Sequence, residues 1–141
     1  MWLAGVGFAL SMLAHLASIV GIAMPGGPAI FALHLGIFAV WIPTVVVMAQ
    51  TKRLSGRRGS FESVFSRAPR WMNRGRQFIF AYGILNFLLF VATTRTGKLA
   101  DNDPGLIRGF SGHWMVFYSV AFTVLYSASH DSEARPRRNL V

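Results

Sequence analysis

The chain has 141 residues, 53% of them hydrophobic, and carries a net charge of +9 from 14 basic and five acidic residues. It contains no Cys, which excludes disulfides, thiol nucleophiles, zinc–thiolate sites and iron–sulfur clusters. Every charged residue lies in one of three islands, 52–76, 95–108 and 131–138. The basic excess therefore reads as loops facing an anionic lipid surface, and a nucleic-acid partner is not expected.

No Asp, Glu, Lys or Arg occurs between Met1 and Thr51. A charge at the centre of a bilayer helix costs ~2.5–3.5 kcal/mol even on lenient insertion scales, so this segregation points to lipid as the solvent. Four apolar stretches predict an all-α, integral membrane four-helix bundle forming one domain over 1–141. At ~20 residues per span no room is left for a separate soluble domain.

The first span is expected over about 2–24. No Lys or Arg precedes it, so it reads as a span rather than a secretory signal. Pro25-Gly26-Gly27-Pro28 makes an abrupt turn, and the second span, about 29–50, must return antiparallel. Pro43 lies inside it and cannot donate to the carbonyl of Ala39, which predicts a kink or a local substitute partner. Trp41 is placed to wedge against another helix.

The loop 51–76 carries eight basic residues against Glu62 alone. Within it Phe61, Val64, Phe65 and Ala68 recur at helical spacing behind Ser60, which predicts a short amphipathic helix on the membrane surface. Arg57, Arg58, Arg67 and Arg70 are expected to contact anionic headgroups, with Phe61 and Phe65 inserting shallowly. The third span is expected over about 77–94, with a first turn that could begin near Arg70.

The loop 95–108 has three basic and two acidic residues. Asp103-Pro104-Gly105 has the residue order of an Asx-supported turn; two carboxylates, Asp101 and Asp103, are too few for a calcium loop. A fourth span is expected over about 109–129, followed by a polar tail, 130–141. The basic loop between spans two and three places both termini in the cytoplasm of a cell inner (plasma) membrane, and three Arg in the tail agree.

Functional residues in membrane proteins are usually polar groups at depth. His15, His34 and His113 all fall in the outer half of the predicted bundle and could converge there. Imidazole ligates haem iron and divalent metals, so one reading is a haem- or metal-binding redox protein built on these three. The other is that each His bonds a neighbour and packs, with Ser11 and Ser18 on the same face as His15. Tyr82 and Asn86 on span three, and Ser119 and Thr123 on span four, form polar stripes suited to helix–helix packing. In an oligomer the same stripes could line the lumen of a pore-forming effector. Span one carries small residues four apart, Gly7/Ser11, Ala14/Ser18 and Ala17/Gly21, that permit close helix approach.

No Ser-His-Asp set is present and no acid lies within a span, so neither hydrolysis nor proton-coupled transport is expected. The stretches RAPRWMNRGRQFIFAYGILNF (67–87) and LIRGFSGHWMVFYS (106–119) resemble segments of small bacterial four-span membrane proteins of unknown function. That resemblance implies an inner-membrane location and assigns no activity. The favoured expectation is a non-catalytic scaffold, accessory subunit or small-ligand or lipid binder with no cofactor. Its partners would be the bilayer and its anionic headgroups, and a homo-oligomer or larger membrane complex remains open.

Overall fold

The computed structural model describes residues 1–22, 27–54, 64–65, 68–94 and 103–134. Among these the chain forms four long helices and no strand: α1 Trp2–Ile19, α2 Gly27–Leu54, α3 Arg70–Thr94 and α4 Pro104–Ala134. Three of them contain stretches long and apolar enough to cross a membrane, Trp2–Ile19, Ile30–Arg53 and Arg70–Thr94. Pro25 and Gly26 of the first turn, Arg57, Arg58, Phe61, Arg67 and the residues beyond 134 lie outside the described residues.

Helices α2, α3 and α4 are longer than the apolar stretches that announce them. The charge islands mark where a membrane surface would begin, and a helix can continue past that point into the polar zone. Lys52 and Arg53 occupy the last turn of α2, where cations favour the carbonyl end of the helix dipole. At the start of α4, Oδ1 of Asp103 accepts the Gly105 N–H at 2.6 Å. The expected Asx bond is therefore a helix N-cap, followed by Pro104 at the first position, where its missing N–H is no loss.

Helix α1 is shorter than expected, because Gly21 ends it. Gly21 has a φ of +73°, and the chain closes with Gly21 N–H donating to Ser18 O (3.3 Å) and Ile22 N–H to Ala17 O (2.9 Å). That bond pair is a Schellman C-cap, whose left-handed residue favours glycine. Gly21 thus does not pair with Ala17 in helix packing, and a Cβ there would meet nothing within 4 Å. The remaining small residues of α1 do pack: Ala4, Gly7, Ser11, Ala14 and Ser18 are all buried.

The bundle is built around α4, which packs against α1, α2 and α3, whereas α1 and α2 touch only lightly. Trp114 and Tyr118 of α4 are the largest fully buried side chains. Tyr118 lies between two glycines: a Cβ on Gly7 of α1 would fall 2.2 Å from its ring, and one on Gly36 of α2 would fall 2.2 Å from its hydroxyl oxygen. The hydroxyl donates to Leu33 O at 2.8 Å. Helix α2 runs unbroken through Pro43, with the fully buried Thr44 bonded to Val40 O at 2.6 Å. Trp41 meets the Phe117 ring edge-on at 5.1 Å, the expected wedge against a neighbouring helix. Large apolar side chains on α1, α2 and α3 face outward, among them Leu13, Phe38, Phe78 and Leu88.

The segment before α3 departs from expectation. Val64 and Phe65 are helical, but Phe65 is only 6% exposed and packs with Val64 around Val124, Val47, Met48 and Val120. It points into the protein, not into a lipid surface. Asn73 of α3 holds the segment by donating through Nδ2 to Phe65 O (2.6 Å) and Ala68 O (3.2 Å). The Arg76 guanidinium lies 3.9 Å over the Phe65 ring, a cation–π contact. Arg70 is exposed at the start of α3.

Candidate functional site: a buried polar network between three helices

Polar side chains from α1, α3 and α4 meet toward the end of the bundle where α1 ends and α4 begins. His15 of α1 is 4% exposed. Its Nδ1 lies 2.8 Å from Oγ of Ser111 on α4, and its Nε2 bonds the hydroxyl of Tyr82 on α3. Ser111 in turn donates to Arg108 O at 3.1 Å. The same carbonyl accepts the Asn86 Nδ2–H of α3 at 2.8 Å. Tyr82 and Asn86 are one turn apart, so α3 engages the network at both ends.

One direction of donation satisfies every donor in this chain. Ser111 O–H is taken by Arg108 O, so Oγ accepts from His15 Nδ1–H, which leaves Nε2 to accept from Tyr82 O–H. Both ring nitrogens of His15 are then committed, one as donor and one as acceptor. The neighbouring serines do not serve it, because Ser11 bonds Gly7 O (2.7 Å) and Ser18 bonds His15 O (2.6 Å).

His34 is held separately. Trp114 Nε1–H donates to its Nδ1 at 3.0 Å. Indole N–H can only donate, so Nδ1 of His34 is an acceptor and the ring proton sits on Nε2. Phe110 lies edge-on to the His34 ring at 5.1 Å, and His113 stacks at 6.0 Å. His113 itself is exposed and rests on Phe117 at 4.7 Å. The structure thus groups His34 with His113 and places His15 in a different network. Among the described residues no group of three or more His, Cys, Asp or Glu could hold a metal ion.

The contact of α3 with α4 shows why glycines recur there. A Cβ on Gly112 would fall 2.3 Å from Asn86 Nδ2, one on Gly83 2.4 Å from Val116, and one on Gly109 2.5 Å from the Phe90 ring. Each glycine receives a side chain from the facing helix. Asn86, buried between the two helices, thus has an interhelical partner in Arg108 O.

The stripe on α4 behaves differently. Ser119, Thr123 and Ser127 are buried, and their hydroxyls bond back to Val116 O, Ser119 O and Thr123 O of their own helix. Hydroxyl side chains in helices make such bonds readily, so these residues act through small size and not as interhelical glue. Sequence reasoning missed Ser111, Trp114 and Asn73 as partners. Ser111 and Trp114 lie within the 106–119 stretch that carries the resemblance, but nothing in their spacing names their partners.

The chain matches no family model, no curated protein and no solved structure.

Proposed function

We propose that this chain is a four-span inner-membrane protein with both termini cytoplasmic, acting without catalytic chemistry as a scaffold or accessory subunit. On this reading α4 is the fourth span, carried within the shell of α1, α2 and α3. Its lower apolarity follows from Ser111, Gly112, Ser119, Thr123 and Ser127 facing protein and not lipid (all five are buried). The eight basic residues of 52–76 support the orientation.

The observation that carries the non-catalytic reading is the commitment of the imidazoles. A His ligates metal through a nitrogen lone pair. His15 has both nitrogens bonded within the protein. His34 has its lone pair on the nitrogen facing Trp114. Recruiting either for haem would break a bond between helices.

Two measurements test the proposal. Purified protein should be colourless, with well under one metal per chain; a Soret band lost in both His15→Ala and His34→Ala would make it a haem protein. Since the native chain has no Cys, Ser55→Cys and Asn102→Cys report topology directly. Asn102→Cys should label from outside intact cells and Ser55→Cys should not, and the reverse pattern would invert the orientation.

A further inference from the structure

A cleft of about 380 Å³ opens between α3 and α4, lined on α3 by Asn86, Leu89, Phe90 and Thr93. Gly105 and Gly109 contribute no side chain to it, and Arg108 stands at its edge. The volume is at the small end of the ~300–1,000 Å³ typical of ligand pockets. It suits a headgroup and the start of its chains, not a whole two-chain lipid.

Among the described residues the charged groups near the cleft are Arg108 at its edge and Asp103, which caps Gly105 of its lining. Arg108 is exposed and pairs with no acid among the described residues. Asp103, the described acid nearest in sequence, turns Oδ1 to the Gly105 N–H. Arg108 lies five residues beyond Asp103, ~7 Å along the helix. Guanidinium stays charged at any accessible pH and its planar donor fork fits phosphate. Exposed at the start of α4, it is satisfied by water or by an anion. Leu89 of the lining is exposed, and Leu85 and Leu88 are exposed just before it on α3, an apolar track for an acyl chain. Asn86 uses Nδ2 on Arg108 O, and its Oδ1 accepts no bond among the described residues, which offers an acceptor to a headgroup hydroxyl.

We propose that this cleft holds one anionic phospholipid, with its phosphodiester on Arg108, its headgroup hydroxyl toward Asn86 and a chain along Leu85, Leu88 and Leu89. The proposal rests on the membrane reading above and names the lipid it would bind.

The test is native mass spectrometry of the full chain in mild detergent, titrated with phosphatidylglycerol, phosphatidylcholine or palmitate. One phosphatidylglycerol should bind per chain at least tenfold more tightly than phosphatidylcholine. Arg108→Gln should weaken it about tenfold, and Arg108→Lys should retain most of the binding. Leu89→Trp, which fills the cleft from an exposed position, should abolish it. Arg74→Gln, an exposed Arg near the other end of α3, should leave it unchanged. Equal binding of the two phospholipids, or equal binding by Arg108→Gln, overturns the proposal. Palmitate binding as tightly as phosphatidylglycerol, with the same dependence on Arg108, overturns the phospholipid assignment. Helicity by circular dichroism verifies that each variant is folded. Wild-type protein recovered in the soluble fraction without detergent would instead sink the membrane reading.

Discussion

Gly7→Ala isolates the packing of Tyr118, the side chain that joins three helices. The new Cβ would lie 2.2 Å from one ring carbon and 2.5 Å from two more, far inside contact distance. The ring has no free direction in which to move. Gly36 of α2 closes on its hydroxyl, and that hydroxyl is tied to Leu33 O at 2.8 Å. Overpacking of a filled core costs ~1–3 kcal/mol, and displacing the hydroxyl adds ~0.5–1.5 kcal/mol. Against this, Ala in place of Gly favours the helix by ~1 kcal/mol. The net expectation is a loss of about 1–3 kcal/mol. Two glycines supply the scale. Gly75→Ala meets nothing within 4 Å and should gain ~0.5–1 kcal/mol from helix preference alone. Gly5→Ala meets Phe122 at an ordinary 3.4 Å and should be close to neutral. Reversible unfolding in mixed detergent–SDS micelles, followed by circular dichroism, reads all three. If Gly7→Ala proves as stable as Gly75→Ala, the tight α1–α4 approach is wrong. In a Tyr118→Leu background the Gly7→Ala penalty should largely vanish; persistence would mean that something other than the ring sets it.

Gly112→Ala should destabilise the α3–α4 contact, since its Cβ would lie 2.3 Å from Asn86 Nδ2. Adding Asn86→Ala should relieve most of that cost in a double-mutant cycle, and simple additivity would refute the contact. Asn86→Ala alone removes one interhelical bond and should cost ~0.6 kcal/mol, up to about 2. Asn73→Ala removes the side-chain bonds to Phe65 O and Ala68 O. Hydrogen exchange there should quicken while global stability changes little, and unaltered exchange would show that Phe65 packing alone is sufficient.

The helices were legible because apolar stretches of span length announce them and charge marks where those stretches end. The same rule misplaces their ends, since it locates a membrane boundary and not the last hydrogen bond. Gly21 illustrates the difference: spacing put it on a packing stripe, whereas its positive φ makes it a cap. The partners of the buried polar residues were less legible. His15 and Ser111 are 96 positions apart, and no local pattern encodes that meeting. Phe65 was misjudged for a related reason. Helical spacing finds an apolar face, but whether lipid or protein covers it depends on Val124 and Asn73 in other helices.

The burial of α4 reconciles its composition with its place in the bundle. In lipid, apolar surface drives no association between helices, so close packing and hydrogen bonds must hold them together. A helix surrounded by three others should therefore be enriched in small residues and in polar groups with partners, at the expense of Leu and Ile. Helix α4 fits that description: Gly109 and Gly112 admit α3, Ser111 bonds His15 of α1, and Tyr118 reaches a carbonyl of α2. Its Ser and Thr residues satisfy themselves on their own helix and so let neighbours approach without an unpaired hydroxyl. The polarity that first looks like a site for chemistry is accounted for, group by group, by assembly. Arg108 of α4, exposed at the edge of a cleft and without an acidic partner among the described residues, is where a ligand would have charge and space at once.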